Sequence, residues 1–371
     1  MRNIEQPTLT VELMKVIDPK NIAGSTAYKV NTFRELVENV AKLSYLNKDY
    51  LLFYRGQGND YKNRAGNSTF YPSIYRGDYL SQSELNYRFE VLNSLSKNLT
   101  KAFQEENIEG YRELKRKKLI QWSILQHYEV CGTPLLDFTQ SLRVACSFAH
   151  MENENGNAFI FVFGLPYLTN RISNNSEQDL VNIRLLSICP PEALRPYFQE
   201  GYLAGTEDIT NEYESKSELD FKNRLIAKFE IPNNNSFWGR NFKIIPKDAL
   251  YPGKDKVLEI CSRIKDISEK ELSPGQLGEF LTLWSELEEF ILNEVRRKDN
   301  RVYNMREALN QLYKMQFLTQ EDYYQIDRLR KFRNDVVHKP KKITTPMIFD
   351  FTETLRMVKN DIITRYNTLY K

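Results

Sequence analysis

The chain has 371 residues, of which 41% are hydrophobic and 27% are charged, and its formal net charge is +3 at pH 7. This length exceeds one ordinary domain core and predicts two domains, and the composition excludes a disordered protein. The near balance of 52 basic and 49 acidic residues excludes a generally basic protein that coats nucleic acid.

No membrane or targeting segment is predicted. No apolar run reaches the roughly 18 residues that a membrane helix needs, and residues 1–20 lack the basic, apolar and small-residue blocks of a signal peptide. The cysteines are Cys131, Cys146, Cys189 and Cys261, without a C-x-x-C pair, so neither a zinc site nor a disulfide framework is expected. These features predict a reduced, cytoplasmic protein with no metal and no membrane partner.

Helices and strands alternate irregularly up to about residue 265. Residues 1–29 have no clear pattern and are treated as an entry segment. Apolar spacing predicts an amphipathic helix from Thr32 to Leu46 with Thr32 as its N-cap, and LLFYRGQG follows as a strand broken by glycine. Two helices are predicted between Ser81 and Gln126, and an apolar helix from about Leu142 to Met151.

Three further segments have the character of strands. AFIFVFGLP, residues 158–166, is too short for a buried helix and predicts a central strand. LVNIRLLSICPP, residues 180–191, predicts a strand ended by proline, and RLIAKFEIP, residues 224–232, predicts a strand with period-two alternation. The combination predicts an α+β domain over residues 30–265.

The remaining residues, 266–371, have only helical patterns. Four helices are predicted, one on Leu277, Phe280, Trp284, Leu287 and Ile291, and the others over Val302–Met315, Tyr323–Lys339 and Met347–Tyr366. Because no convincing strand remains, this region is predicted to be a separate four-helix bundle of about 100 residues.

YRGQ, residues 54–57, places an arginine directly after an apolar strand and before a glycine. A guanidinium at a strand end can clamp a phosphate or a carboxylate through two hydrogen bonds. Gly56 would let a ligand approach the backbone closely. An arginine in this position also commonly caps a loop, and the motif alone leaves both interpretations open.

A second concentration of polar residues lies in ILQHYEVCGTPLLDFTQSLRVACSFAH, residues 124–150. Polar side chains in such apolar surroundings need hydrogen-bond partners when they are buried. In one interpretation they form a structural network, with Asp137 as a cap and His127 as a satisfied buried imidazole. In the other, His127 acts as an acid, a base or a ligand near neutral pH.

Several segments of residues 30–265 resemble the FRG domain, a family named for its Phe-Arg-Gly motif. They are YRGQ, PSIYR at 72–76, LQHYEVCGTPLLDFT at 125–139 and VACSFA at 144–149, with FQEG at 198–201 and ALYPGKD at 249–255 similar to the distal motifs. Tyr54 takes the aromatic place. Glu129 stands where the family usually has a glycine, and Cys131-Gly132 replaces a shorter connection.

The aromatic-Arg-Gly strand is similar to the first motif of arginine-class ADP-ribosyltransferases, in which the arginine holds NAD. The resemblance therefore implies a mixed sheet and NAD as a candidate ligand. The candidate ligand-binding residues are Tyr54, Arg55, Gly56, Gln57, Arg76, Gln126, His127, Tyr128, Thr133, Asp137, Thr139 and Gln199. A transferase also needs a glutamate, and neither Glu200 nor Glu207 lies in a convincing E-x-E motif.

RNDVVH, residues 333–338, lies near the end of the third helix predicted in the second domain. A helix bundle that carries R-N-x-x-x-H resembles the HEPN domain, whose members include metal-independent ribonucleases. The resemblance implies Arg333, Asn334 and His338 as catalytic residues, without a cofactor. Asn334 and His338 share a helix face, whereas Arg333 lies about 140° away from His338, so the site is expected to form across a homodimer.

Three functional hypotheses follow. The first is a bacterial-type defence or toxin protein in which a HEPN ribonuclease cleaves RNA under control of the FRG domain. Its partners would be RNA, a second copy of the chain and an antitoxin or phage trigger, with no DNA partner. The second is an FRG ADP-ribosyltransferase that uses NAD, with the helical bundle as a dimerisation module. The third is a nucleotide-sensing scaffold that does no chemistry.

Overall fold

The computed structural model describes residues 1–77, 80–151, 156–209, 212–213, 215–269, 274–296, 304–338, 340 and 343–369. The chain divides into two compact units. The first is formed by Met1–Leu92 and Leu99–Ser262, and the second by Asn93–Asn98 and Arg263–Lys371. Within the described ranges, no helix is both long enough and apolar enough to cross a membrane.

The strands described in the first unit form one mixed sheet. They are β1 (Tyr28–Lys29), β2 (Leu51–Gln57), β3 (Leu136–Thr139), β4 (Asn157–Leu165), β5 (Ile172–Asn175), β6 (Leu180–Arg184), β7 (Gly201–Gly205) and β8 (Leu225–Pro232). Their order across the sheet is β1-β8-β4-β2-β3-β7-β6-β5. Only the pairing of β1 with β8 is parallel, and the others are antiparallel.

The prediction that helices and strands mix in the N-terminal part of the chain, and that only helices follow in the C-terminal part, is confirmed for the described residues. The helices that begin in the first unit are α1 (Val11–Met14), α2 (Phe33–Leu46), α3 (Gln82–Glu105), α4 (Tyr111–Arg116), α5 (Lys118–His127), α6 (Leu142–Met151), α7 (Leu185–Ile188), α8 (Arg195–Phe198), α9 (Lys247–Leu250) and α10 (Lys256–Glu269). The predicted N-cap of α2 is present, because the Thr32 side chain accepts a hydrogen bond from the backbone N–H of Glu35.

Two details of the predicted elements are wrong. The segment between Ser81 and Gln126 contains three helices instead of two, because Gly110 has a left-handed backbone and Lys117 an extended one, and each interrupts the helical hydrogen bonding. LVNIRLLSICPP does not continue as a strand to its prolines. Its strand ends at Arg184, where the short helix α7 begins.

The segment AFIFVFGLP was predicted to be a central strand, and this prediction is confirmed. It forms β4, which lies between β8 and β2. Residues 160–165 are all buried, so both faces of the strand are covered. A strand that is buried on both sides has no reason to alternate apolar with polar residues, which explains the continuous apolar run.

The strand β8 carries a lysine into the core of the same unit. Lys228 is fully buried, and its Nζ lies 3.2 Å from Asp60 Oδ2 and donates to Ser68 Oγ and the Ala23 carbonyl. These partners offset the cost of burying the charge. The predicted period-two alternation of β8 therefore does not produce an exposed face, since its polar lysine also points inward.

The second unit is helical in its described residues. Its four main helices are α11 (Pro274–Arg296), α12 (Met305–Lys314), α13 (Gln320–His338) and α14 (Thr345–Leu369). Of the apolar residues predicted for α11, Phe280, Trp284, Leu287 and Ile291 are buried and Leu277 is half-buried. Phe332 of α13 stacks on Phe351 of α14 with ring centroids 3.7 Å apart. Four helices were predicted at these places, although the predicted ends at residues 302 and 339 lie outside the described residues.

Candidate ligand-binding site

A cavity of about 240 Å³ is lined by residues of three neighbouring strands, β2, β3 and β7, and by residues of α5 and α6. Its lining consists of Tyr54, Arg55, Gly56, Arg76, Gln126, His127, Glu129, Asp137, Phe138, Thr139, Ala145, Phe148, Gln199, Gly201, Tyr202 and Tyr251. Strand register explains the convergence, because Tyr54 pairs with Thr139 and Thr139 pairs with Gly201. The motifs YRGQ, LLDFT and FQEG thus meet at one place.

Nine of the twelve candidate ligand-binding residues line this cavity, namely Tyr54, Arg55, Gly56, Arg76, Gln126, His127, Asp137, Thr139 and Gln199. The other three, Gln57, Tyr128 and Thr133, lie outside its lining. Gln57 is buried at the end of β2. Thr133 donates a hydrogen bond to the lining residue Gln126, and Tyr128 donates one to Asp255.

Arg55 is the cation that β2 brings to the cavity. Its Nη1 donates to the Asp137 backbone carbonyl at 2.8 Å, which fixes the guanidinium against β3. Its Nε is buried and has no hydrogen-bond partner among the described residues. An unpaired buried donor costs about 1–3 kcal/mol, so this arginine is held in place with hydrogen-bonding capacity that a ligand can satisfy.

The Asp137 carboxylate is oriented by a chain of hydrogen bonds. The hydroxyls of Thr133 and Ser73 both donate to Gln126 Oε1, at 2.6 and 3.1 Å. This arrangement turns the amide nitrogen of Gln126 toward Asp137, and Nε2 donates to Oδ2 at 2.7 Å. Thr133 therefore acts on the site from outside the cavity, by fixing which end of the Gln126 amide faces the carboxylate.

His127 and Asp137 form a loose pair beside Arg55. Nδ1 of His127 lies 4.0 Å from Oδ1 of Asp137, and the Asp137 side chain keeps 38% of its surface exposed while that of His127 keeps 4%. Burial by itself raises the pKa of Asp137, but the attraction of His127, the charge of Arg55 and the hydrogen bond from the Gln126 amide outweigh burial and lower the pKa below its usual range. The carboxylate is therefore ionised near neutral pH.

Gly56 has a packing role that the sequence did not indicate. A Cβ at this position would lie 1.8 Å from the backbone carbonyl oxygen of Ala145, in helix α6. The glycine is therefore required because α6 packs directly against β2. Gly56 also lines the cavity, so its predicted role of letting a ligand approach the backbone stays a prediction. The close packing also explains why a helix and a strand can share one side of the cavity.

A network around Arg195 links His127 to Asp255 and Tyr251 of the segment ALYPGKD. The Tyr128 hydroxyl donates a hydrogen bond to Asp255 Oδ2 at 2.7 Å. Burial, and after it this hydrogen bond, raise the pKa of Tyr128. The same Oδ2 accepts the backbone N–H of Arg195 at 2.9 Å. Arg195 in turn donates to the His127 carbonyl at 3.0 Å, and its guanidinium lies over the rings of Tyr128 and Tyr251.

Comparison with protein families identifies the segment that carries most of this lining. Residues 51–158 match the FRG domain. The matched segment is less than a third of the chain and contains β2, β3 and helices α3 to α6. The comparisons with curated proteins and with solved structures gave no match.

At one departure from the FRG pattern, the chain keeps a backbone conformation that favours glycine. Glu129, which stands where the family usually has a glycine, has a backbone φ of 56°. This left-handed conformation is favourable for glycine and unfavourable for other residues, so the turn after α5 keeps the geometry that glycine would adopt. As a consequence, the chain gains a second carboxylate in the lining of the cavity.

Sequence reasoning missed several lining residues: Glu129, Phe138, Ala145, Phe148, Gly201, Tyr202 and Tyr251. Most of them lie in segments that resemble the FRG domain, and Tyr251 belongs to ALYPGKD, so the motifs contained a signal that was not assigned to single residues. The two glutamates considered for a transferase, Glu200 and Glu207, do not line the cavity. Its acidic side chains are Glu129 and Asp137.

A second cavity, of about 390 Å³, lies within the helical unit. It is lined by Trp284, Glu288, Asn304, Met305, Arg306, Arg330, Arg333 and Asn334. Arg333 Nη1 donates to Asn334 Oδ1 at 3.2 Å, whereas His338 is exposed and does not line this cavity. Asn334 and His338 lie four residues apart in α13, and their predicted catalytic role with Arg333 stays a prediction. Among the residues that the structure describes, no group of three or more His, Cys, Asp or Glu side chains could hold a metal ion.

Proposed function

We propose that the first unit binds NAD in the cavity beside Arg55 and consumes it as a substrate in ADP-ribosyl transfer. The observation that carries this proposal is Arg55 itself, which is anchored through Nη1 and retains a buried, unpartnered Nε. A planar guanidinium with a free donor suits a phosphate oxygen or a ribose hydroxyl. The FRG match over residues 51–158 supports a shared site but does not specify a reaction.

The charges and surfaces of the cavity suit the nicotinamide end of NAD. Arg55 and Arg76 supply positive charge for a phosphate, while Asp137 and Glu129 supply negative charge for the nicotinamide ring, which is cationic in NAD. Aromatic side chains provide flat surfaces for the ring, and burial raises the pKa of Tyr54 to about 12, so its hydroxyl stays protonated as a donor.

The size of the cavity limits what it can hold. Small-molecule sites usually measure about 300–1,000 Å³, and this cavity measures about 240 Å³. It therefore suits one half of a dinucleotide, and the adenosine half would extend from the opening. ADP-ribose lacks nicotinamide and would lose the ring contacts, so we expect it to bind more weakly than NAD.

The direct test is calorimetric titration of the full chain with NAD, ADP-ribose and ATP. We expect NAD to bind with a Kd between about 1 µM and 1 mM, and more tightly than ADP-ribose. Radiolabelled NAD should then transfer its label to protein or RNA. Binding without transfer would support the nucleotide-sensing scaffold, and no binding of NAD would contradict the proposal.

A second candidate function is metal-independent RNA cleavage by the helical unit, in a defence or toxin setting. It is favoured by the cavity that joins Arg333 and Asn334 to Arg306 and Arg330, because guanidinium groups can neutralise the charge that develops on a scissile phosphate. His338 lies outside this cavity, so in this proposal the cutting site requires the His338 of a second copy. The FRG unit would then control the ribonuclease.

If the helical unit cleaves RNA, the full chain should degrade total RNA in the presence of EDTA. His338→Ala and Arg333→Ala should each reduce the cleavage rate by about 100-fold or more, because they remove a proton-transfer group and a charge-stabilising group. Gel analysis of the RNA measures the rate. Lys331→Ala, on an exposed side chain of the same helix, is the matched control and should cleave normally. Intact RNA, or a strictly monomeric chain in light scattering, would contradict this candidate.

A further inference from the structure

We infer that His127 is the general base of the cavity in the first unit, with Asp137 as its positioning residue. The inference rests on the proposed binding of NAD and extends it, because it assigns a residue to the chemical step. Its geometric basis is the pair of His127 Nδ1 and Asp137 Oδ1, both from residues that line the cavity. The other ring nitrogen, Nε2, is buried and has no hydrogen-bond partner among the described residues.

The pair sets which nitrogen carries the proton of the neutral imidazole. Nδ1 faces an ionised carboxylate and is therefore the nitrogen that carries hydrogen, which leaves Nε2 with a lone pair. The Gln126 amide already binds Oδ2 of Asp137, so the carboxylate cannot turn freely, and Oδ1 stays directed at the imidazole. The distance of 4.0 Å is long for a hydrogen bond, but such bonds are often long without ligand and shorten when it binds.

The position of the ring is fixed from two further sides. Arg195 holds the backbone carbonyl of His127, and the Tyr128 ring lies edge-on to the imidazole at 5.7 Å. On the β7 side the backbone approaches closely, since a Cβ on Gly201 would lie 3.2 Å from His127 Cε1. These contacts restrict how the imidazole of His127 can turn, and a positioned imidazole is what general base catalysis requires.

The simplest reaction that uses this nitrogen is hydrolysis of the substrate NAD. Nε2 takes a proton from a water molecule while the water oxygen forms a bond to C1′ of the nicotinamide ribose. The bond from C1′ to nicotinamide breaks, and nicotinamide leaves neutral with the electron pair of that bond. Asp137 stabilises the imidazolium, which then releases its proton to solvent, so that NAD and water become ADP-ribose, nicotinamide and a proton. With a protein or RNA hydroxyl in place of water, the same step gives ADP-ribosyl transfer.

The chain has only three histidines, which permits a test that does not depend on activity. Nitrogen-15 spectra that correlate ring protons with both ring nitrogens can be assigned from His127→Gln, His150→Gln and His338→Gln. In spectra of the neutral imidazole, His127 should carry its hydrogen at Nδ1. Asp137→Asn should remove this preference, and NAD should shift the Nε2 resonance. Protonation at Nε2 in the wild-type protein would overturn the inference.

The second measurement is nicotinamide release, followed together with the Kd for NAD. His127→Gln should slow release by about 100-fold or more while the Kd changes less than about threefold, and Asp137→Asn should slow it by at least about 10-fold. The matched control is His150→Gln, since His150 packs against Phe237 and Trp238 away from the cavity. Its release rate should equal that of the wild type, with melting temperatures recorded for every variant.

The outcomes separate this inference from the proposed function. Wild-type protein that binds NAD but releases no nicotinamide would overturn both the assignment of a base and the proposed transfer, and would leave only the proposed binding of NAD intact. Normal release by a folded His127→Gln variant would also overturn it. Wild-type protein that does not bind NAD would overturn the binding proposal and this inference together.

Discussion

Replacing Arg55 by alanine is expected to weaken NAD binding by roughly 100-fold, which corresponds to about 2.7 kcal/mol. The reason is that Arg55 is the cation anchored inside the cavity, with its Nη1 on the Asp137 carbonyl and its Nε unpartnered. The variant also removes a positive charge next to Asp137, so the pKa of that carboxyl should rise toward its usual range. Calorimetric titration of the full chain measures the loss of affinity.

Two further variants make the Arg55 result interpretable. Arg55→Lys keeps the charge but not the planar fork of donors, so it should recover only part of the affinity. Arg240→Ala removes an exposed arginine of the same unit that does not line the cavity, and it should bind NAD like the wild type. Equal affinity of wild type and Arg55→Ala would show that NAD, if it binds, binds elsewhere.

Replacing Gly56 by alanine is expected to destabilise the first unit by roughly 3 kcal/mol or more. The added Cβ would lie 1.8 Å from the Ala145 carbonyl oxygen, and a backbone atom cannot move aside as a flexible side chain would. Helix α6 would have to shift away from β2. Because the free energy of unfolding of a domain is only about 5–15 kcal/mol, a loss of this size should clearly lower the urea concentration at which half of the protein is unfolded.

The matched control for this variant is Gly253→Ala. A Cβ at Gly253 would meet no atom within 4 Å, and its backbone conformation is one that alanine can adopt, so the free energy of unfolding should change by less than about 0.5 kcal/mol. If Gly56→Ala unfolds like the wild type and loses only NAD binding, the glycine serves the ligand instead of the helix, as the sequence motif had suggested.

The cavity also shows why the match to the FRG domain understates the extent of the site. The matched residues 51–158 supply Arg55, His127 and Asp137, but Gln199 and Tyr251 come from beyond the match. Gln199 links the matched segment to the residues beyond it. Its backbone carbonyl accepts a hydrogen bond from the Thr139 hydroxyl, inside the match, and its Nε2 donates one to the Leu250 carbonyl, outside it. Gln199, Gly201, Tyr202 and Tyr251 therefore complete the wall that the matched segment begins.

The amino-acid sequence determined the features that depend on neighbouring residues. The N-cap at Thr32, the apolar strand β4, the helix at Leu142–Met151 and the four helices after residue 270 could be predicted, because capping, strand length and helical spacing are local properties. The polar segment from Gln126 to Thr139 also indicated a site, since buried polar groups need partners wherever the chain folds.

Only the tertiary structure decided what those groups do. The register that pairs Tyr54 with Thr139 and Thr139 with Gly201 joins segments more than 60 residues apart, and no local pattern encodes it. The contact of Gly56 with Ala145 depends in the same way on how α6 packs on the sheet. Within α13, the helical wheel predicted that Asn334 and His338 share a face, and only the structure showed that the Arg333 side chain donates to the Asn334 amide oxygen. Packing between distant segments assigned these roles, because a contact depends on both of its partners.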